Sequence, residues 1–311
     1  MPAATSASIL FNRFARGAGR FDADAAIRYL EGRGVRTHLE VPETPEATTA
    51  AARAAAERGD DLVFVVGGDG TLRLAAGGLA GSESALAALP GGTANVWVKE
   101  AGIPGGFRTA IDAHLSGRRL AMDLGRANEE PFLLMAGIGW DAEIASRVPP
   151  QLKRRLGTLA YVVHGLRMLP TLRTTAVEWS VVGSSGRADA ALIVASNTRV
   201  YGGVLMFAPD ARATDGELDI RLFTPRGWGE TARLAVEVLA HRADGDARVH
   251  QLRASCFAVD TPGLLVQVDG DVIGETPTTL TVQKQALYMS VPSGSVAPTL
   301  RDAEPIRPRS E

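Results

Sequence analysis

The chain of 311 residues has little cysteine and no long apolar run, and each shortage excludes a class of protein. Cys256 is the only cysteine, which excludes an internal disulfide and a cysteine metal cluster and indicates a reducing compartment. The longest apolar runs, such as Leu62 to Val66, fall far short of the roughly 18 residues that a membrane-spanning helix needs. The first residues show no secretion signal, so we expect a cytoplasmic protein.

An excess of charge of either sign is also missing. The 33 Lys and Arg residues stand against 35 Asp and Glu residues, for a formal net charge of −2. A surface that neutralises several phosphates of a nucleic acid normally gives an alkaline balance, so we expect no nucleic-acid partner. The histidines show no metal-ligand spacing. The sequence also lacks a Gly-x-Ser-x-Gly motif, so it does not indicate a hydrolase with a serine nucleophile.

Two textures divide the chain. Residues 1–120 alternate short apolar runs with helical patterns, which is typical of strands and crossover helices around a parallel sheet. Residues 121–285 contain shorter strands with turn signals, interrupted by helical patterns over 153–169 and 228–241, which favours a β-sandwich. Residues 293–311 combine Pro, Ser, Gly and charge, and this composition predicts a flexible tail.

A glycine-rich turn follows the apolar run Leu62 to Val66 and comes directly before a helical pattern. Its sequence is Gly67, Gly68, Asp69, Gly70, Thr71. Backbone N–H groups exposed by such a turn can hold phosphate, and an acid among them calls for a bridging cation such as Mg²⁺. The alternative is a tight strand-to-helix turn in which Asp69 serves as a helix cap.

Other polar residues also have a purely structural alternative to a functional role. Thr93 and Asn95 stand where a further helix begins, so their side chains either cap that helix or meet a nucleotide. The pairs Asp215-Gly216 and Asp269-Gly270 are typical of hairpin turns. From the residues alone, neither pair requires a functional role.

Six motifs in order carry a resemblance to a known family. They are "VVGGDGTLRLAAGG", "LPGGTANVWVKEAGIP", "MDLGRANEEPFLLMAGIGWDAEI", "KRRLGTLAYVVHGL", "YGGVLMFAPDARATDGELDI" and "VDGDVIGETP". Together they resemble the diacylglycerol kinase catalytic family, which includes bacterial soluble lipid kinases and the sphingosine and ceramide kinases. The resemblance extends from Ser8 to Pro292, nearly the whole chain outside the tail.

The resemblance implies an α/β nucleotide-binding domain of NAD kinase and diacylglycerol kinase type, followed by a β-sandwich second domain that binds the lipid. It also implies that the chain returns to the first domain near 286–292. Carried over residue by residue, it assigns ATP contacts to three segments of this chain: Asn12 to Arg16; Gly67, Gly68, Asp69, Gly70, Thr71 and Leu72; and Thr93.

The resemblance also implies roles for acids later in the chain. Asp215 matches the side chain that holds a structural Mg²⁺, with the backbone carbonyls of Arg212 and Glu217 as its companions. Asp271 falls where the family usually has a Glu that acts as general base on the acceptor hydroxyl, and Asp69 is the second catalytic candidate. The remaining active-site network is assigned to Asp123, Asp269 and Asn95.

Three positions depart from the family pattern. Asn12 precedes Arg13 where the family usually has Pro, and Asn95 precedes Val96 where many members have Asp. Asp271 is one methylene shorter than the usual Glu, so its backbone position must supply the missing reach.

The implied function is an ATP- and Mg²⁺-dependent kinase of a lipid hydroxyl, on diacylglycerol or a related glycerolipid, with sphingoid bases and ceramide as close variants. Two alternatives remain: a kinase of a soluble acceptor, as in the related NAD kinases, and a nonenzymatic sensor of lipid or nucleotide whose site has decayed. A homodimer is compatible with each of them.

The segment 152–169 combines basic residues with leucines and valines at helical spacing. Such a helix either rests on an anionic bilayer, as peripheral contact at the inner face of the membrane, or presents a solvated basic face over the core.

Overall fold

The structure of the protein is a computed structural model, which describes residues 4–149, 159–201, 205–240, 245–294, 297–300 and 302–303. The chain forms two compact units. Unit 1 consists of Met1–Leu124 and Lys284–Glu311, and unit 2 of Gly125–Gln283. The sequence predicts the corresponding boundaries after residues 120 and 285.

Unit 1 alternates strands and helices. Its strands are β1 (Ser6–Phe11), β2 (Arg36–Glu40), β3 (Leu62–Gly67) and β4 (Ala85–Pro90). Its helices are α1 (Ala23–Glu31), α2 (Pro45–Glu57), α3 (Asp69–Leu79), α4 (Val96–Glu100) and α5 (Phe107–Leu115), with a short 3₁₀ helix at Ala18–Arg20.

Two strands run from one unit into the other, β5 (Arg118–Ala127) and β18 (Thr278–Val291). The helices of unit 2 are α6 (Trp140–Arg147), α7 (Leu159–Met168) and α8 (Gly227–Leu239), with a 3₁₀ helix at Leu169–Thr171. Its strands are β6 (Glu130–Phe132), β7 (Met135–Gly139), β8 (Thr175–Val181), β9 (Ser184–Ala190), β10 (Leu192–Ser196), β11 (Val200–Tyr201), β12 (Leu205–Met206), β13 (Leu218–Phe223), β14 (Val249–Ala254), β15 (Cys256–Val259), β16 (Leu265–Val268) and β17 (Asp271–Glu275).

The sheet of unit 1 is parallel, in the order β2-β1-β3-β4-β18. All six residues of β3 are buried, as a strand covered by helices on both faces requires. From the sequence, Asp22 and the pair Thr44-Pro45 predict the starts of α1 and α2. Both starts are confirmed, because Asp22 accepts the Ala25 N–H at 2.9 Å and Thr44 accepts the Ala47 N–H at 3.1 Å.

Unit 2 contains two layers of antiparallel strands, which confirms the predicted sandwich. One layer has the order β14-β13-β10-β7-β16-β17, and the other is built from β9, β8, β15 and the first half of β18. Both layers contribute to one hydrophobic core, with Ile193, Ile220 and Val266 from the first and Val177, Phe257 and Leu280 from the second. Apolar side chains therefore alternate inward from both sheets.

The end of the chain is partly packed. The second half of β18 belongs to unit 1, where Tyr288 and Met289 pair with Ala85 and Leu86. Residues 297–300, which the composition placed in a flexible tail, contain a 3₁₀ helix, and Thr299 and Leu300 are buried. The Thr299 hydroxyl donates a hydrogen bond to the Glu100 carboxylate. Buried side chains and one partly buried hydrogen bond thus fix residues 297–300 despite the composition of the segment.

Among the described residues, none of the helices has the length and apolar content needed to cross a membrane. Lys153, Arg154 and Arg155, on which the bilayer hypothesis mainly depends, lie outside the described part of the chain.

Candidate active site

Three loops of unit 1 follow the carboxyl ends of neighbouring parallel strands. The loop 12–17 follows β1, the turn at Gly68 follows β3, and the loop 91–95 follows β4. In the strand order β2-β1-β3-β4, the connections on the two sides of β1 run in opposite directions, which places the topological switch point between β1 and β3. In open α/β sheets this is the position where ligands bind.

The three loops contact one another through glycine backbone. The Gly17 N–H donates to the Gly91 carbonyl at 2.8 Å, and Asn12 Nδ2 donates to Thr71 Oγ1 at 2.9 Å. A Cβ on Gly92 would lie 2.4 Å from the Gly68 Cα, a backbone atom that cannot move aside cheaply. Glycine is therefore required for this close approach of the two loops.

The start of α3 has the properties of an anion site. Its N-cap residue is Gly68, which offers no side chain to the first N–H groups of the helix. These N–H groups and the helix dipole favour a bound phosphate. Thr71 is fixed by its contact with Asn12, while the Leu72 side chain is buried in the core of unit 1.

The Asp69 carboxylate is used within unit 1. It is buried and accepts the N–H groups of Val96 at 3.1 Å and Trp97 at 3.2 Å, so it caps α4 rather than its own helix. Burial raises the pKa of Asp69, while the hydrogen bonds from Val96 and Trp97 act in the opposite direction. Asp69 is thus a helix cap, but of a helix that begins 27 residues later and not of the helix that follows the glycine turn, as the local alternative predicts.

The other predicted nucleotide contacts are more open. Thr93 and Arg16 are exposed, and Arg13 forms an ion pair with Glu43. The Asn95 side chain hydrogen bonds with the N–H and carbonyl of Gly92, at 2.8 and 3.0 Å. Asn95 therefore holds the shape of its own loop, in a left-handed backbone conformation with φ of 47°.

Asp123 of β5 is fully buried in unit 1. Its Oδ1 accepts the N–H of Gln285 at 2.7 Å, at a residue of β18 whose φ is 51°. The predicted network acid therefore stabilises an irregular point in β18.

Asp269 and Asp271 lie on the β16–β17 hairpin of unit 2. Asp269 and Gly270 both have positive φ, at 50° and 91°, as a two-residue type I′ turn requires. The Asp269 carboxylate accepts the N–H groups of Leu133, Leu134 and Met135 at 2.7 to 2.9 Å. Asp269 therefore anchors the hairpin, whereas Asp271, the first residue of β17, is exposed.

Asp215 and Gly216 form a turn before β13, not a hairpin, since β13 pairs with β10 and β14. The guanidinium of Arg253 forms ion pairs with Asp215, with Glu217 at 3.3 Å and with Asp219 at 3.8 Å. Carboxylate and carbonyl oxygens are the donors that Mg²⁺ prefers, but here the Arg253 guanidinium already balances the charge of these carboxylates. No three acidic, His or Cys side chains of the described residues could by themselves hold a metal, so carbonyls would have to complete a site.

Unit 2 contains an apolar cavity that the sequence did not reveal. Its volume is about 140 Å³, and its wall is formed mainly by aliphatic and aromatic side chains, among them Ile144, Leu169, Leu192, Phe207, Phe223 and Leu234. Asp141 and Tyr201 add polar atoms to this wall. Residues from α6 to α8 build the cavity, and they are spread over about a hundred positions of the chain.

Asp141 is a further site residue without an assigned role in the sequence interpretation. It is 4 % exposed, and its carboxylate accepts hydrogen bonds from the Tyr201 hydroxyl and, at 2.7 Å, from Gln267 Nε2. Burial raises the pKa of Asp141 to about 6, against the effect of the Gln267 hydrogen bond. Asp141 lies in the motif segment "GIGWDAEI", but the spacing of residues in this segment indicates neither the burial of Asp141 nor its hydrogen-bond partners.

Two family descriptions match the chain. "Diacylglycerol kinase catalytic domain" matches residues 6–127, and "YegS C-terminal NAD kinase beta sandwich-like domain" matches residues 135–291. "Diacylglycerol kinase" of Bacillus subtilis (strain 168) is 31 % identical over 255 residues, which cover 81 % of this chain and 84 % of that protein. "Probable lipid kinase YegS-like" of Enterobacter sp. (strain 638) is 33 % identical over 207 residues, covering 65 % and 69 %.

Solved structures share the fold. The crystal structure of a diacylglycerol kinase from Bacillus anthracis str. Sterne superposes with a TM-score of 0.71 at 20 % identity, covering 95 % of this chain and all of that one. A second crystal structure from the same organism gives a TM-score of 0.79 at 21 % identity, covering 95 % and 98 %.

The parallel sheet with its glycine loops and the β-sandwich with its apolar cavity define a two-domain lipid kinase. The chain belongs to the diacylglycerol kinase family, in the branch whose second domain is the YegS-type sandwich.

Proposed function

We propose that the protein transfers the γ-phosphoryl group of ATP to the hydroxyl of a lipid, diacylglycerol or a related glycerolipid. The acceptor oxygen forms a bond to the γ-phosphorus as the bond from that phosphorus to the β,γ-bridging oxygen breaks. ADP leaves with the electron pair, and the hydroxyl proton passes to the carboxylate of Asp271. Positioning and charge neutralisation supply most of the rate of such a transfer.

The apolar cavity of unit 2 carries the lipid part of this proposal. A soluble acceptor such as a nucleotide needs polar walls, whereas Ile144, Leu192, Phe223 and their neighbours suit an acyl chain. The names of the curated relatives support the same substrate class.

The glycine loops of unit 1 carry the nucleotide part. Gly68 and the first turn of α3 suit the phosphates of ATP, with Thr71 and Asn12 beside them. Mg²⁺ bound with ATP would neutralise phosphate charge during transfer. We further propose that Asp215, with the carbonyls of Arg212 and Glu217, holds a structural Mg²⁺, for which the Arg253 guanidinium would have to leave Asp215.

Labelled ATP tests the proposal directly. The purified protein is incubated with γ-labelled ATP and Mg²⁺ and with one of four acceptors, diacylglycerol, ceramide, sphingosine or NAD, and the products are separated. We expect label on diacylglycerol. Label on a sphingoid lipid would move the acceptor within the same class, label on NAD alone would replace the lipid assignment, and no labelled product would favour a sensor.

We also propose peripheral contact with an anionic bilayer through α8. Thr231, Leu234 and Val238 of this helix line the cavity, while Trp228 and Val236 on the adjoining face are 65 % and 64 % exposed. Arg226, at the start of the helix, is exposed as well. An exposed Trp with a neighbouring Arg is typical of helices at the membrane interface, where a lipid acceptor resides.

A further inference from the structure

Gln267 connects two parts of unit 2. It is 3 % exposed and lies at the irregularity in pairing between β16 and β17. Its Nε2 donates to Asp141 at 2.7 Å, and its Oε1 accepts the Gly270 N–H at 2.6 Å. Because a backbone N–H can only donate, it fixes the amide so that the NH₂ group faces the carboxylate.

At one end of this connection, the Asp141 carboxylate is closely confined. A Cβ on Gly137 would lie 1.6 Å from its Oδ2, so a larger residue there would displace the carboxylate. The other oxygen accepts the hydroxyl of Tyr201, and both side chains belong to the wall of the apolar cavity. The acid therefore has one position, between the cavity and Gln267.

At the other end, the hairpin turn is held on two sides. Asp269 binds the backbone of 133–135, and Gln267 binds the N–H of Gly270. Asp271 is the next residue, so these contacts set the direction in which its carboxylate leaves the turn. Opposite Gln267 the pairing shifts register and skips Ile273 of β17, and irregularities of this kind are common where a side chain is aimed near an active site.

We propose that Gln267 is a positioning residue, which ties the acid at the cavity wall to the hairpin that carries Asp271 and so places the catalytic base for the acceptor hydroxyl. The inference rests on the proposed function. It adds the expectation that turnover depends on the buried side-chain amide of Gln267, although this amide contacts neither ATP nor the reacting hydroxyl.

Gln267→Met removes both hydrogen bonds at nearly constant volume. We expect kcat with diacylglycerol to fall about 100-fold, as a displaced catalytic group does, while the KM for ATP stays the same because unit 1 binds the nucleotide. Hydrogen exchange of a peptide covering 264–275 should become faster. Unchanged kcat, or unchanged exchange in this peptide, would overturn the inference.

Gln267→Glu separates positioning from a loss of folding. Glutamate keeps an acceptor for Gly270 but places a second carboxyl group against Asp141, and the pair can hold a shared proton at lower pH. The ratio of variant to wild-type kcat should therefore rise as the pH is lowered from about 8 to about 6. Gln251→Glu, on the exposed side of β14, adds the same charge and should give a flat ratio. A flat ratio for Gln267→Glu would contradict the positioning role.

Different outcomes refute the proposed function and the inference about Gln267. Wild-type protein that phosphorylates no lipid would refute the proposed function, and faster hydrogen exchange in Gln267→Met would still support the tie. A lipid kinase whose Gln267 variants keep wild-type kcat would refute the inference alone.

Discussion

Asp69, Asp269 and Asp271 each lie next to a glycine, but their burial and hydrogen bonds indicate different roles. Asp69 is buried and both of its oxygens accept backbone N–H groups, while Asp269 accepts three such groups. Both carboxylates hold backbone groups in place, a structural task that requires no contact with the acceptor hydroxyl. Asp271 is exposed and is the stronger candidate for the base.

Asp271→Asn should lower kcat by about 100- to 10,000-fold, the usual contribution of a general base, and leave ATP binding intact. Asparagine keeps the size of the side chain, so thermal unfolding should not change. The matched control is Asp189→Asn on the exposed face of β9, which should keep full turnover. Wild-type kcat in Asp271→Asn would remove the residue from the mechanism.

Asp69→Ala should abolish turnover and also destabilise unit 1. The substitution leaves two N–H groups at the start of α4 without their acceptor, and loss of a helix cap costs about 1 to 2 kcal/mol. Denaturant unfolding measures this loss. Asp24→Ala, an exposed acid in the first turn of α1, should cost less. Equal stability of the two variants would show that the cap contributes nothing.

At the scale of elements, local patterns predicted helix starts well and failed where a cap came from elsewhere. Asp22 and Thr44 cap the helices that follow them, so a few neighbouring residues contain the signal. The cap of α4 comes from Asp69, and the Asp141–Gln267 contact joins residues 126 positions apart. Such contacts depend on strand register and on a bulge, which short-range periodicity does not encode.

The face of α8 beside the cavity gives an element-scale prediction. Trp228→Ser with Val236→Ser should reduce flotation of the protein with vesicles of phosphatidylglycerol and phosphatidylcholine, because interfacial binding scales with buried apolar area. Val182→Ser is the control, since Val182 is even more exposed, at 84 %, but lies in the β8–β9 turn. Equal flotation of the control and the double variant would contradict docking through α8.

At the scale of the whole molecule, the order of motifs predicted both domain types, whereas composition did not predict the packing of residues 297–300. The glycine turn was recognisable because strand, turn and helix are consecutive in sequence. The apolar cavity was not, because its wall combines α6, α7, α8 and several strands. Residues 297–300 pack against unit 1 despite their polar neighbours in sequence, because the side chains of Thr299 and Leu300 are buried there.

His114 gives a prediction for the pH dependence of stability. It is buried in unit 1, where its Nε2–H donates to the Ala88 carbonyl at 2.9 Å and its Nδ1 accepts the Ser290 hydroxyl at 3.0 Å. Burial lowers the pKa of His114 from 6.5 to about 4, against the hydrogen bond to Ala88. Between these values the unfolded chain binds a proton that the folded protein does not bind, so folding is favoured above pH 6.5 and weakens as the pH falls.

Lowering the pH from about 7.5 to about 5 should therefore cost about 2 kcal/mol of stability through this residue. Asp141 acts with the opposite sign, because its raised pKa stabilises the folded state at low pH, so variants must be compared with wild type at each pH. In His114→Gln the loss of stability on acidification should be smaller by about that amount. His38→Gln, an exposed histidine of the same unit, should follow wild type. Denaturant unfolding at both pH values measures the difference, and an unchanged slope in His114→Gln would show that His114 is not held neutral in the folded protein.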